Sequence, residues 1–267
     1  MDRKQLVDTI LQKKSYLCIG LDTDPAKIPT HLLSNPDPVF EFNRQIIDAT
    51  KDLCVSYKIN TAFYEAHGVA GWTSMLKTVD YIPATHFKIA DAKRGDIGNT
   101  SAQYAKAFFE TMNFDAITVA PYMGEDSIRP FLEYDNKWTI LLGLTSNDGA
   151  RDFELLPSAG GHVYEQVLLK ATKWGNINNL MFVIGATQAA LLDKIRALTP
   201  KHFYLVPGVG AQGGSLTEIS RHGLIPDVGL LINVSRAVIY AGPGVDFAER
   251  SRQLALSFQQ EMVSMLV

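Results

Sequence analysis

Phe87-Lys88-Ile89-Ala90-Asp91-Ala92-Lys93-Arg94-Gly95-Asp96-Ile97-Gly98-Asn99-Thr100 reads as a strand whose tip is built for a ligand. An apolar run stops, and Asp91, Lys93, Arg94 and Asp96 follow at once, beside a glycine. If extended backbone persists to Lys93, period-two alternation puts Asp91 and Lys93 on the same side of the sheet. A carboxylate and an ammonium then face a substrate together. A helix-like stretch, 101–112, follows.

The same strand-then-helix pattern runs along the chain. Strand-like runs fall at 16–21, 53–59, 85–90, 116–120, 139–144, 180–184, 203–206 and 228–234. Helix-like stretches of mixed polarity lie between them, among them 38–51, 65–79, 161–174 and 188–198. Such alternation indicates βαβ units and a parallel sheet. Eight strands in about 250 residues fit a (β/α)8 TIM barrel. The alternative is a doubly wound open sheet. Against it, the first strand runs into Asp22-Thr23-Asp24-Pro25, not a glycine-rich dinucleotide turn. Residues 2–13 predict a helix closing the barrel floor. Residues 246–265 predict a terminal helix with Phe247, Leu254, Phe258 and Met262 on one apolar stripe. With no linker or repeat, 1–267 reads as one barrel domain with additional N- and C-terminal helices. The longest irregular loop is expected at 145–161, a place where barrels often carry lids.

Composition narrows the function. The chain has 267 residues, 46% hydrophobic, and a formal charge of −3. That suffices for a large core and lacks the basic excess expected of a nucleic-acid or membrane-surface protein. No apolar run approaches the roughly 20 residues needed to span a bilayer. The first residues are amphipathic, unlike a signal core. Two cysteines, Cys18 and Cys54, make no disulfide framework and fit buried thiols in a reducing cytosol. The expected location is cytoplasmic.

In a barrel, chemistry sits where strands end. Asp22 ends the first strand. Lys58 lies near the end of the second, followed by Asn60. Asp91 and Lys93 end the third, with Asp96 beyond. Thr145-Ser146-Asn147 follows the fifth. The seventh runs into Pro207-Gly208-Val209-Gly210-Ala211-Gln212-Gly213-Gly214, and the eighth into Asn233-Val234-Ser235-Arg236. Parity agrees in part: an inward Asp22 takes Cys18 and Gly20 inward, and an inward Lys58 takes Cys54 and Ser56 inward while Val55, Tyr57 and Ile59 face the helices. The third strand is less tidy, because Lys88 and His86 fall on its outer side.

Each residue alone has a plain explanation. An aspartate after a strand is usually a turn or cap. A lysine there is usually a solvated charge. Asp91 and Lys93 alone would make an ordinary ion pair. Convergence of five charges on three successive strand ends argues for a site. The glycine run 208–214 alone is a flexible turn. Its backbone N–H groups, the next helix and Arg236 together suit a phosphate. No His-x-His, Cys-x-x-Cys or His-Glu-x-x-His occurs, so no catalytic metal is indicated, although spacing alone leaves a carboxylate-bound Mg2+ open.

With these residues in place, the chain resembles the orotidine 5′-phosphate decarboxylase family. The Asp91-x-Lys93-x-x-Asp96-Ile97-x-x-Thr100 pattern matches that family's signature. Asp22, Lys58, Ser146, Pro207-Gly-Val-Gly-Ala-Gln212 and Arg236 follow in the matching order. The resemblance runs from about residue 15 to 240, and its wording is similar to the longer bacterial subgroup. It implies a cofactor-independent carboxy-lyase of pyrimidine synthesis, converting orotidine 5′-monophosphate to uridine 5′-monophosphate. Lys93 would protonate C6, Asp91 would sit by the substrate carboxylate, and Lys58 would hold the charge network. Asp22 would bind a ribose hydroxyl and Ser146 would touch the pyrimidine. Gln212, the Ser235 backbone and Arg236 would hold the phosphate. Asn60 and Pro207 are placed with the substrate-binding set. Asp96, Ile97 and Thr100 would come from the partner subunit of a homodimer.

Three other readings compete. A metal-dependent sugar-phosphate decarboxylase or synthase of the same superfamily would place an acidic ligand where this chain has Lys58, whose charge repels Mg2+. A Schiff-base aldolase would need a neutral lysine, and flanking carboxylates favour the ammonium. A non-catalytic nucleotide-phosphate binder would bind without turnover.

Overall fold

The computed structural model describes residues 1–210 and 214–266. Eight parallel strands form its centre: β1 (Leu17–Gly20), β2 (Ser56–Asn60), β3 (Phe87–Arg94), β4 (Ala116–Val119), β5 (Trp138–Leu144), β6 (Leu180–Ile184), β7 (Phe203–Pro207) and β8 (Leu230–Val234). Each pairs with the next, and β8 closes on β1 with Leu17 opposite Ile232. The open-sheet alternative is thereby excluded, since a closed barrel has no edge.

The expected parity holds at β1 and β2. Tyr57 turns outward, and its hydroxyl meets Thr50 Oγ1 at 2.8 Å on the helix Pro38–Thr50. Cys18 turns inward, with Sγ 3.7 Å from Oδ1 of Asn233, its register partner on the adjacent strand β8. Both cysteines are buried and free. Gly20 allows a close approach: a Cβ there would stand 1.8 Å from Ser235 Oγ.

The floor is a plug of aromatic rings. Phe87, Trp138 and Phe203, first residues of β3, β5 and β7, pack edge to face at centroid distances of 6.2 and 6.4 Å. Alternate strands contribute a layer in this way. The helix Arg3–Lys13 covers the plug as expected. Its Arg3 guanidinium lies over the Phe203 ring and donates to the carbonyls of Ile177 and Lys201.

Several boundaries differ from those read in the sequence. The third strand continues through its charged residues to Arg94. The helix expected at 65–79 breaks at His67, because Gly68 adopts φ +57° between Ala62–Glu65 and Gly68–Tyr81. The 145–161 segment is not irregular. It holds a 3-10 turn, Asp148–Asp152, and a short hairpin pairing Pro157 with His162. In the helix Phe247–Val263 the buried stripe is Phe247, Ser251, Ala255 and Met262, with Leu254 and Phe258 at its margin. Lys88, on the outer side of β3, donates to the Val79 carbonyl at 2.9 Å and so caps the helix Gly68–Tyr81.

Candidate active site

The carboxyl ends of β1, β2 and β3 bring four charges into one line. Lys58 Nζ lies 3.4 Å from Asp22 Oδ1 and 2.9 Å from Asp91 Oδ2. Lys93 Nζ donates to Asp91 Oδ1 at 2.6 Å. The line alternates −, +, −, + and sums to zero, which lets Lys58 be 3% exposed without an unpaired charge. Burial alone would raise the Asp91 carboxyl, but Lys58 and Lys93 outweigh it and hold the group well below the usual carboxylate range. Burial would likewise lower the Lys58 ammonium, and Asp22 and Asp91 reverse the effect and raise it.

Asp91 and Lys93 share a side, but not through continuous extended backbone. Lys93 has φ +47°, and the β3–β4 register shifts between Ala90 and Arg94. The bulge turns Lys93 back toward Asp91. Thr118 on β4 meets both residues: its Oγ1 accepts from Lys93 N at 2.9 Å and donates to Asp91 Oδ1 at 3.0 Å. The sequence reading passed over this residue, although it is the only polar side chain in Ala116-Ile117-Thr118-Val119.

A second layer fixes the Asp22 strap. Tyr64 donates to the Leu21 carbonyl at 2.8 Å, and Asn43 bridges Thr23, Tyr64 and Thr78. The Tyr240 hydroxyl donates to the Asp22 carbonyl and accepts from Asp24 N.

Facing the charge line across a cavity of about 170 Å³ are Ser146, Pro207, Gly208, Ser235 and Arg236. Asn233, also unassigned from sequence, lines the same cavity and donates to Ser235 Oγ at 3.2 Å. Gly208 and Gly210 have φ +99° and +73°, and a bridge between Val209 and Gly214 closes the glycine turn. The next helix, Leu216–Gly223, is capped by Ser215, whose hydroxyl accepts from Glu218 N. Gln212 lies outside the described residues.

Four expected residues stand apart from this cavity. The Asn60 carboxamide accepts from Ala62 N at 3.3 Å and caps a short helix. The Asp96 carboxylate accepts from Ile97 N at 2.7 Å, and Ser101 Oγ braces the Asp96 backbone. Ile97 and Thr100 are exposed. Arg94 turns to the helices, where it pairs with Glu65 and lies over the rings of Tyr104 and Phe108. Among the described residues no group of three or more His, Cys, Asp and Glu side chains is placed to hold a metal ion, and no helix is long and apolar enough to cross a membrane.

Residues 15–250 match the family described as orotidine 5′-phosphate decarboxylase / HUMPS. The chain belongs to this family. It is 57% identical to the orotidine 5′-phosphate decarboxylase of Flavobacterium johnsoniae, covering 100% of this chain and 98% of that one. The Bacteroides fragilis protein of the same name is 52% identical, with the same coverage. A crystal structure of a putative orotidine-monophosphate decarboxylase from Toxoplasma gondii superposes with a TM-score of 0.86 at 32% identity, covering 98% of each chain. The signature by which the chain resembles the orotidine 5′-phosphate decarboxylase family thus divides in space. Asp91 and Lys93 enter the charge line, while half-buried Asp96 and exposed Ile97 and Thr100 lie beyond it.

Proposed function

We propose that this chain converts orotidine 5′-monophosphate to uridine 5′-monophosphate and carbon dioxide, without a cofactor, as a cytoplasmic homodimer of de novo pyrimidine synthesis. The observation that carries this reading is the Asp22–Lys58–Asp91–Lys93 line facing a glycine turn and Arg236 across one cavity. Family membership and full-length identity to named decarboxylases support the reaction.

The chemistry follows from where charge develops. The bond from C6 to the carboxylate carbon breaks, carbon dioxide leaves, and the electron pair stays on C6 in the ring plane. No conjugation spreads that pair, and no cofactor accepts it. A fixed ammonium must stabilise it. Lys93 supplies that charge, gives a proton from Nζ to C6, and regains one from solvent. Asp91 stays ionised beside the substrate carboxylate and fixes Lys93. Asp22 accepts from a ribose hydroxyl, and Lys58 holds both aspartates. Ser146 and Pro207 flank the pyrimidine. Gln212, the Ser235 backbone and the Arg236 guanidinium hold the phosphate, far enough from C6 to supply binding energy for closure. Asp96, Ile97 and Thr100 complete the neighbouring subunit's site, and Asn60, at the end of β2, belongs to the substrate-binding set.

A metal-dependent sugar-phosphate decarboxylase or synthase would need a cation at this position. The Lys58 ammonium already bridges Asp22 and Asp91, and with Lys93 it neutralises them, so it would repel one. The test is the absorbance change of orotidine 5′-monophosphate with EDTA present. Turnover unaffected by the chelator is expected. Absence of turnover, or strict dependence on added metal, overturns the reading.

A further inference from the structure

The ladder between β3 and β4 pairs Ile89 with Ala116 and Ala90 with Ile117, then resumes at Arg94 and Val119. Three residues, Asp91, Ala92 and Lys93, therefore stand opposite Thr118 alone. An insertion of this kind bends the strand and strips ladder groups of their partners. Buried backbone groups left that way are costly. Lys93 also sits at φ +47°, a left-handed conformation that a lysine seldom adopts and that its surroundings must enforce.

Thr118 enforces it from inside the barrel. Its side chain is 1% exposed, and its one hydroxyl both accepts from Lys93 N and donates to Asp91 Oδ1. Asp91 Oδ1 is the atom that Lys93 Nζ also reaches. Backbone amide, hydroxyl, carboxylate and ammonium thus close a ring that begins and ends on Lys93. From the outside, Arg94 donates to the Ala92 carbonyl at 2.8 Å while Glu65, Tyr104 and Phe108 hold its guanidinium. These two clamps hold the bulge from both sides.

We infer that Thr118 is a positioning residue for the decarboxylation: its hydroxyl fixes the bulge that aims the Lys93 ammonium, and fixes Asp91 against it. The inference rests on Lys93 being the proton donor. Valine has the shape of threonine but neither donates nor accepts, so it would leave the Lys93 amide unsatisfied and Asp91 one donor short. A misaimed acid is felt in the transition state more than in substrate binding.

The experiment compares Thr118→Val and Thr118→Ser in full-length protein. Thr118→Val should lower kcat about 10- to 100-fold with KM within about threefold of the parent, and Thr118→Ser should stay within about threefold in both. A Thr118→Val kcat within about twofold of the parent, or equal losses in Ser and Val, overturns the inference. If Thr118→Val does not fold, Thr118→Ala is read against Thr118→Ser, since both lose the methyl and only one loses the hydroxyl. Equal activity in that pair overturns the inference too. A second readout needs no substrate. Hydrogen exchange at the Lys93 amide should be at least about 10-fold faster in Thr118→Val (or Thr118→Ala) and unchanged in Thr118→Ser. Unchanged exchange in the hydroxyl-free variant overturns the bulge argument even if the parent protein fails to turn over orotidine 5′-monophosphate, a result that would count against the function instead.

Discussion

Lys93, paired with Asp91 at one side of the cavity, and Arg236, lining the other, should fail in different ways when removed. Under the proposed mechanism Lys93 acts only as charge appears on C6, so Lys93→Ala should lower kcat by at least about 10³-fold with substrate binding largely kept. Arg236, in the same proposal, grips a phosphate that does not change during the reaction. Its loss should raise KM about 10- to 100-fold and leave kcat within a few-fold, as expected for uniform binding. Steady-state kinetics on both variants check the pair; near-parental turnover in Lys93→Ala would remove the assigned proton donor. The sequence placed both residues at strand ends, which suffices to nominate them. It did not show how Lys93 gets there. The alternation argument put Asp91 and Lys93 on one side by assuming extended backbone, whereas the structure does so through a bulge and a left-handed φ. Alternation describes regular ladders, and the partner that stabilises this irregular one, Thr118, lies 25 positions further along the chain.

At the scale of elements, the apolar runs located all eight strands because burial on both faces writes them as continuous hydrophobic stretches. Loops were less legible, since their order comes from particular hydrogen bonds. Residues 145–161 looked irregular, yet the Glu154 carboxylate accepts from Thr145 N at 2.7 Å and from Thr145 Oγ1 at 2.9 Å. That contact anchors the loop one residue before Ser146. Glu154→Ala should cost about 1–2 kcal/mol of stability. By loosening the backbone at Thr145 it should also raise KM several-fold more than it lowers kcat. Thermal denaturation and steady-state kinetics measure the two effects; an unchanged melting temperature and KM would show that the loop is held by other contacts.

For the whole molecule, acid stability should be set at the barrel floor before the charge line responds. His202 is 7% exposed, packs on Phe182, and has neither ring nitrogen paired among the described residues. Burial, then Arg3 and Arg196, push it down to about 4. Its unfolded value lies near 6.5, so between about pH 6.5 and 4 the unfolded chain binds the extra proton, and stability falls as pH falls, by about 1.4 kcal/mol per unit at most. His86, also pushed to about 4 by burial and by Lys13, adds a slope of the same sign. His202→Phe should flatten the urea midpoint between pH 6.5 and 4, and an unchanged slope would show that His202 is not the sensor.

The same scale decides whether one chain makes a whole site. Asp96 is braced by Ser101 away from its own charge line, and Ile97 (62% exposed) stands on the surface. Tyr122, Met123 and Phe153 add further exposed apolar area, with Tyr122 and Phe153 in ring contact. In the proposed homodimer, a second copy that covers such a face brings its own Asp96 to this chain's Lys93. Sharing of that kind makes a quantitative prediction. In a heterodimer of Lys93→Ala and Asp96→Ala chains, one site carries both lesions and the other carries neither. Random 1:1 exchange makes half of the dimers mixed, so a mixture of two inactive proteins should recover about a quarter of parental activity. Each variant alone should stay inactive, and recovery should follow the rate of subunit exchange. If exchange is demonstrated by mass and activity does not return, Asp96 serves its own chain, and the division of the 87–100 segment between two sites is wrong.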